Sequence, residues 1–307
     1  MNGIFDDLPQ GLRLFDLPQP MAGFHHFISS WFFVDSAGRR VVVDPGPAST
    51  IPTLLEELSS VTDGVDLILL THIHLDHSGG VGQLCERYGS AKVVVHGKGR
   101  KHLTNPEKLW NASLATLGEI TTMYGQPKPL APEKLLDCES ETIPGVEIIE
   151  TPGHAPHHLS FFTYLDGLRL FFAGEAAGLR MPTSSGKPYL RPTTPPRFDA
   201  PAMRETFAKM ESAIRGDELL CYAHWGAVRD PMGHIAAAKK QVEEWLDVVA
   251  GMEDMTVEEI AEHLISNDPL LAEYSAFPED LRSRELFFIE NSVRGFREYL
   301  QNQEQEA

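Results

Sequence analysis

Basic residues are scarce in this chain. Only 26 Lys and Arg stand against 44 Asp and Glu across 307 residues, a formal net charge of −18. That balance argues against nucleic acid as a partner, because phosphate backbones are held by clustered cations. Cysteine is sparser still: Cys85, Cys138 and Cys221 are odd in number and far apart. They exclude a disulfide framework and predict a reduced, cytoplasmic setting. No apolar run approaches the length of a membrane span, so no membrane association is expected. The first residues, Met1-Asn2-Gly3-Ile4-Phe5-Asp6-Asp7, lack a basic n-region and an apolar h-region, which predicts no signal peptide. No Gly-x-Ser-x-Gly elbow is present to suggest a serine nucleophile, and no internal repeat is visible.

What remains is an ordinary globular composition, 42% apolar and 23% charged. The length suffices for a full core, as one large domain or a domain with an appendage. The most informative stretch is Thr71-His72-Ile73-His74-Leu75-Asp76-His77-Ser78-Gly79-Gly80. An apolar run of strand length, Val65 to Leu70, precedes it. Val81, Leu84, Cys85 and Tyr88 follow at helical spacing, with Gly89 at the expected helix end. Metal-ligating side chains therefore fall on a strand-to-helix turn, where they can converge. Imidazoles and carboxylates are ligands of zinc and other first-row metals. One metal cannot use all four of these side chains and keep an open position, whereas two neighbouring metals can.

Further strand-like runs end in ligand chemistry. Val146 to Ile149 leads into Thr151-Pro152-Gly153-His154-Ala155-Pro156-His157-His158, Leu168 to Gly174 into Glu175, and Leu219 to Ala223 into His224. Alternating strands and helices predict an α/β layer structure. His96, His102 and His234 lie outside any ligand motif and read as surface or supporting histidines. His157 and His158 read as hydrogen-bonding or packing residues. Cys85, on the apolar stripe of its helix, reads as a core filler. Asp44 in Asp44-Pro45-Gly46-Pro47 either serves the turn or supports the ligand loop. The Pro-rich stretch after Glu175 holds Tyr189, Arg191 and Arg197, candidates for gripping an anionic or carbonyl substrate, or else solvent-facing loop residues. The tail is helical: Val242, Trp245, Leu246 and Val249 share a face, Thr256 and Glu259 fit a capping box, and Leu286, Ile289, Val293, Phe296 and Leu300 form a stripe. These stripes must be covered by the core or by a second subunit, which would make a homodimer through the C-terminal helices.

The His72, His74, Asp76, His77 pattern resembles the HxHxDH motif of the metallo-β-lactamase superfamily. The resemblance covers roughly the first three quarters of the chain. It implies a four-layer αβ/βα sandwich over residues 1–233, with a helical C-terminal module over 234–307 similar to that of glyoxalase II. It implies a first metal on His72, His74 and His154, a second on Asp76, His77 and His224, and Glu175 as the bridge where relatives generally have Asp. Two divalent ions per chain are then expected, zinc first, with iron or manganese as alternatives. The implied activity is metal-dependent hydrolysis of a small-molecule ester, thioester, lactone or phosphodiester, with Asp76 orienting the attacking water. The alternative is a non-haem iron oxidoreductase similar to persulfide dioxygenases, which uses only the first histidine set. A degenerate, non-catalytic binding protein is the third class, and seven filled ligand positions argue against it.

Overall fold

The computed structural model describes residues 8–138, 142–183 and 185–306. Residues 1–7, expected above to carry no signal peptide, lie outside the described residues. Six strands form the first sheet: β1 (Arg13–Asp16), β2 (Ser29–Val34), β3 (Arg40–Val43), β4 (Leu67–Leu69), β5 (Lys92–Val95) and β6 (Leu135–Asp137), in chain order across the sheet. The pairs from β1 to β3 are antiparallel and those from β3 to β6 parallel. A parallel pair needs a crossover, and helices supply each of the three, beginning with α1 (Ile51–Ser59) between β3 and β4 and α2 (Leu75–Ser78) with α3 (Val81–Arg87) between β4 and β5. The link from β5 to β6 carries α4 (Arg100–Thr104), α5 (Glu107–Leu117) and α6 (Glu119–Tyr124). Phe27 and Ile28 are buried just ahead of β2.

The second sheet holds β7 (Glu147–Glu150), β8 (Leu159–Leu165) and β9 (Leu168–Gly174). A two-stranded ribbon, β10 (Leu179–Met181) with β11 (Tyr189–Arg191), and then α7 (Ala200–Ala213) follow in the chain. The sheet is completed by β12 (Leu219–Tyr222) and β13 (Ala227–Val228), in the order β13-β12-β9-β8-β7.

Period-two alternation builds the layers. Val41, Val43, Leu67 and Leu69 meet Phe161, Phe172, Leu219 and Cys221 in one buried cluster between the sheets, where Phe33 stacks on Phe172 at 5.4 Å. Their sequence neighbours Val42, Ile68, Phe162, Phe171 and Leu220 face the other way, into a second cluster with the helices. The result is a four-layer αβ/βα sandwich.

Three helices end the chain: α8 (Pro231–Gly251), α9 (Val257–Asn267) and α10 (Glu279–Glu306). Asp230 caps α8 through the Gly233 N–H, so the expected boundary at 233/234 falls inside this helix. The Thr256–Glu259 capping box is present at α9. On α10, Ile289, Val293 and Phe296 are fully buried in the same cluster as Ile73, Tyr124 and Phe171. Each such side chain contributes about 1.5–3 kcal/mol. The C-terminal stripe is thus covered by the chain's own core.

Candidate metal centre

The ligand-type residues sit where strands of both sheets end. After β4 the chain turns into α2, with His72 and His74 on the turn and Asp76 and His77 in the helix. From the second sheet, His154 comes from the turn between β7 and β8, Glu175 follows β9, and His224 follows β12. The sheets are tied together at this edge. The Thr71 carbonyl accepts from the Leu159 N–H at 2.7 Å. Ser29 Oγ donates to the Ala223 carbonyl at 3.0 Å, and Trp31 Nε1 donates to the Tyr222 carbonyl at 2.9 Å.

All seven residues converge. His72, His74, His154 and Glu175 form one group of donor atoms, and Asp76, His77 and His224 another, with the atoms of each group within 4.8 Å of one another. His72 Nε2 and His154 Nε2 each lie 3.0 Å from His74 Nδ1. Glu175 reaches both groups. Its Oε2 is 3.3 Å from His72 Nε2, 3.0 Å from His154 Nε2 and 3.5 Å from His77 Nε2, while Oε1 is 3.5 Å from His224 Nε2. Asp76 Oδ2 is 3.4 Å from His77 Nε2 and 3.6 Å from His224 Nε2.

Four of the imidazoles have their outward nitrogen engaged, which turns the other inward. His72 Nδ1 pairs with Thr71 Oγ1 at 3.0 Å and His77 Nδ1 with Asp44 Oδ2 at 3.1 Å. His154 Nδ1 meets the Thr193 carbonyl at 2.8 Å, and His224 Nδ1 the Phe27 carbonyl at 3.3 Å. His77 Nε2 is buried with no hydrogen-bond partner among the described residues. An orphaned buried nitrogen beside two carboxylates, in a set of imidazole and carboxylate donors, fits divalent metal ions.

Electrostatics follow from burial and crowding. Burial, reinforced by the charge of His154, pushes His74 down to about 4. Burial also holds His72 well below the usual histidine range, with His77 and His74 adding to the effect. Burial disfavours the charge on Asp76, yet His77 and His224 outweigh it and bring the carboxyl down to about 2. Glu175 is likewise held well below the ordinary carboxyl range, because His154 and His224 overcome its desolvation. Both carboxylates are therefore ionised at neutral pH.

The supporting residues are partly new. Asp44 sits in the left-handed region at φ 50 and accepts from the Thr71 N–H at 2.8 Å and Thr71 Oγ1 at 2.6 Å, besides meeting His77. It supports the ligand loop. His158 pairs through Nδ1 with Thr151 Oγ1 at 2.8 Å and through Nε2 with the Glu175 N–H at 3.1 Å. Gly174, at φ 60, leaves no room for a Cβ, which would lie 2.3 Å from His158 Nε2. Sequence reading missed Tyr124 on α6. It is buried, and its phenol is raised by desolvation and then by the charges of Asp76 and Glu175. His234 stays outside the centre, with Nδ1 on Tyr222 Oη at 3.1 Å.

The substrate candidates need correction. Tyr189 Oη donates to Glu285 at 3.0 Å and Arg191 Nε to the same carboxylate at 2.6 Å, and both residues are buried. Their polar groups are spent on anchoring α10. Only Arg197 has an exposed side chain.

Comparison with known proteins bears on the family and the fold. The chain is 31% identical over 197 residues, 61% of its length and 69% of the relative's, to the metallo-beta-lactamase fold-containing protein ST1585 of Sulfurisphaera tokodaii. It is 31% identical over 134 residues, 43% of its length and 60% of the relative's, to the probable metallo-hydrolase MJ0888 of Methanocaldococcus jannaschii. The crystal structure of ST1585 superposes with a TM-score of 0.65 at 26% identity, covering 95% of this chain and all (100%) of that one. That of TTHA1429 from Thermus thermophilus, a metallo-beta-lactamase family protein, does so with 0.63 at 20% identity, covering 96% and 95%. The family model of the metallo-beta-lactamase superfamily matches residues 26–224, the span from the loop before β2 to the last of the seven converging residues, and this chain belongs to that superfamily.

Proposed function

We propose that this chain is a binuclear metal-dependent hydrolase of a small carboxylic ester, thioester or lactone, working in the cytoplasm. The observation that carries the reading is the reach of Glu175, whose two oxygens lie beside the imidazoles of both donor groups. A bound pair of divalent metals supplies Lewis acidity and a water acidified to near-neutral pKa. His72, His74 and His154 would hold one ion, Asp76, His77 and His224 the other, and Glu175 both. Asp76, ionised and set between His77 and His224, has a second oxygen left to accept a hydrogen bond from the attacking water and orient it. In the overall reaction water gives its OH to the acyl carbon and its remaining proton to the leaving oxygen or sulfur. The relative named a probable metallo-hydrolase supports the class. An iron oxidoreductase would use the first group only and would leave Asp76, His77 and His224 without a role.

Elemental analysis of protein purified without added metal, followed by a substrate panel under zinc, manganese or iron loading, tests the reading. About two ions per chain and turnover of an ester, thioester or lactone are expected. Asp76→Asn should lower kcat about a hundredfold or more, the range of a lost general base. Oxygen consumption with a persulfide and no hydrolysis would replace the hydrolase by the oxidoreductase.

A further inference from the structure

The imidazoles of the centre differ in what holds them. His72, His77 and His154 have outward contacts of 3.0, 3.1 and 2.8 Å. That of His224 is longer, 3.3 Å from Nδ1 to the Phe27 carbonyl. A carbonyl only accepts, so this contact selects the Nδ1–H tautomer and turns the Nε2 lone pair toward the donor cluster. Phe27 also supplies a face: its ring stacks on the His224 imidazole at 4.5 Å and 21°. His224 thus leans on one residue twice, through its backbone and through its ring.

Phe27 itself lies in the loop between β1 and β2, outside any strand. Helix α10 holds that loop. The Arg284 guanidinium lies over the Phe27 ring at 4.1 Å, within cation–π range, and donates to the Gly23 carbonyl. Met181 Sδ at 2.7 Å and Glu285 at 3.0 Å fix the same guanidinium in the interior. The loop backbone also touches the helix directly. At Gly23, with φ 81, a Cβ would lie 2.5 Å from the Asp280 carbonyl oxygen. A buried chain of contacts therefore runs from α10 to the last ligand: Arg284, Phe27, His224. The outward partners of His72 and His154, Thr71 and the Thr193 carbonyl, lie in other segments.

Building on the binuclear reading, we propose that Arg284 is a positioning residue that acts through Phe27 on His224. Helix α10 then sets the affinity of the Asp76, His77, His224 group for its ion and leaves the His72, His74, His154 group alone.

The test is zinc binding by the full chain, read by competition with a chelator, and needs no turnover. His224→Gln identifies the binding step that belongs to the second ion. Phe27→Leu removes the ring and keeps the carbonyl, and Arg284→Met removes the guanidinium and keeps an apolar stem. Each should weaken the second step about 10- to 100-fold and leave the first within about threefold. The double variant should be no weaker than the worse single one, because both substitutions cut the same chain of contacts. Should Arg284→Met not fold, Arg284→Lys replaces it, keeping the charge beside Glu285 without a planar group to lie on the ring. An unchanged second step, equal losses at both steps, or losses that add in the double variant would each overturn the proposal. A second measurement uses the metal-free chain. Nitrogen–proton NMR of the imidazoles should show His224 as the Nδ1–H tautomer in the wild type and as a mixture in both single variants. With that result, a wild type that takes only one ion refutes the binuclear reading and leaves the positioning role standing. Two ions bound, with His224 spectra alike in wild type and variants, does the reverse.

Discussion

At the residue scale the centre depends on Asp44 as much as on its ligands. This side chain fixes the Thr71 amide and hydroxyl and holds His77 Nδ1, which leaves His77 Nε2 facing the donor cluster. Asn at this position keeps the volume but turns one acceptor into a donor, against a neighbour that must itself donate. Asp44→Asn should therefore lower metal affinity about 10- to 100-fold with an unchanged far-UV spectrum, as competition with a chelator would measure. Unaltered affinity would reduce Asp44 to a turn residue. The seven converging residues were legible in the sequence because each stands at the end of an apolar run, in a short Gly- or Pro-bearing turn. The groups that orient them were less so. The carbonyls of Thr193 and Phe27 carry no side-chain identity, since every residue has one. Tyr189 and Arg191 read in the sequence as substrate candidates or loop residues, because their partner, Glu285, lies 96 and 94 residues further on.

At the element scale α10 is the part whose existence was readable and whose role was not. Its stripe predicts a buried face, but periodicity does not say what the face covers. The structure sets Gly295 against the loop that follows β11: a Cβ there would lie 1.9 Å from the Thr194 carbonyl oxygen and 2.6 Å from that of Pro195. In an exposed helix Gly→Ala would gain about 1 kcal/mol. Here Gly295→Ala should instead cost about 1–3 kcal/mol from overpacking, seen in denaturant unfolding. By shifting the neighbouring Thr193 carbonyl from His154, it should also weaken metal binding. A stabilised variant would show that the helix moves freely at this point. The same helix is held by Glu285 between Arg191 and Arg284. Burial disfavours the Glu285 charge, but the two guanidiniums outweigh it, so its folded pKa is depressed. The sign follows: the contribution is present above the unfolded value of about 4.3 and is lost as pH falls through the folded one. Glu285→Gln should remove that acid limb from the stability profile. It should also cost about 3–5 kcal/mol at neutral pH, because two buried cations lose their partner.

At the scale of the whole molecule the metal centre joins two halves that are separate in sequence. His72, His74, Asp76 and His77 follow a strand of the first sheet, whereas His154, Glu175 and His224 come from the second. Each proposed ion would take ligands from both sheets, so it binds the folded chain and not two independent halves. Ligand binding of this kind stabilises by about 4 kcal/mol when free metal stands near 1,000 times Kd. For a chain of 307 residues that is roughly 8 °C in Tm, at about 2 °C per kcal/mol. Removing metal with a chelator should lower Tm by about that much while keeping one cooperative transition, and re-adding zinc should restore it. Calorimetry at several zinc concentrations separates this from a site within one sheet, where the metal-free protein would unfold in two steps. The centre also gathers two ionised carboxylates in a chain already at −18. Part of the gain therefore comes from neutralising charge, and high salt should shrink the chelator's effect without abolishing it. An effect that vanished in salt would mean that zinc acts as a diffuse counterion and not through seven directed ligands.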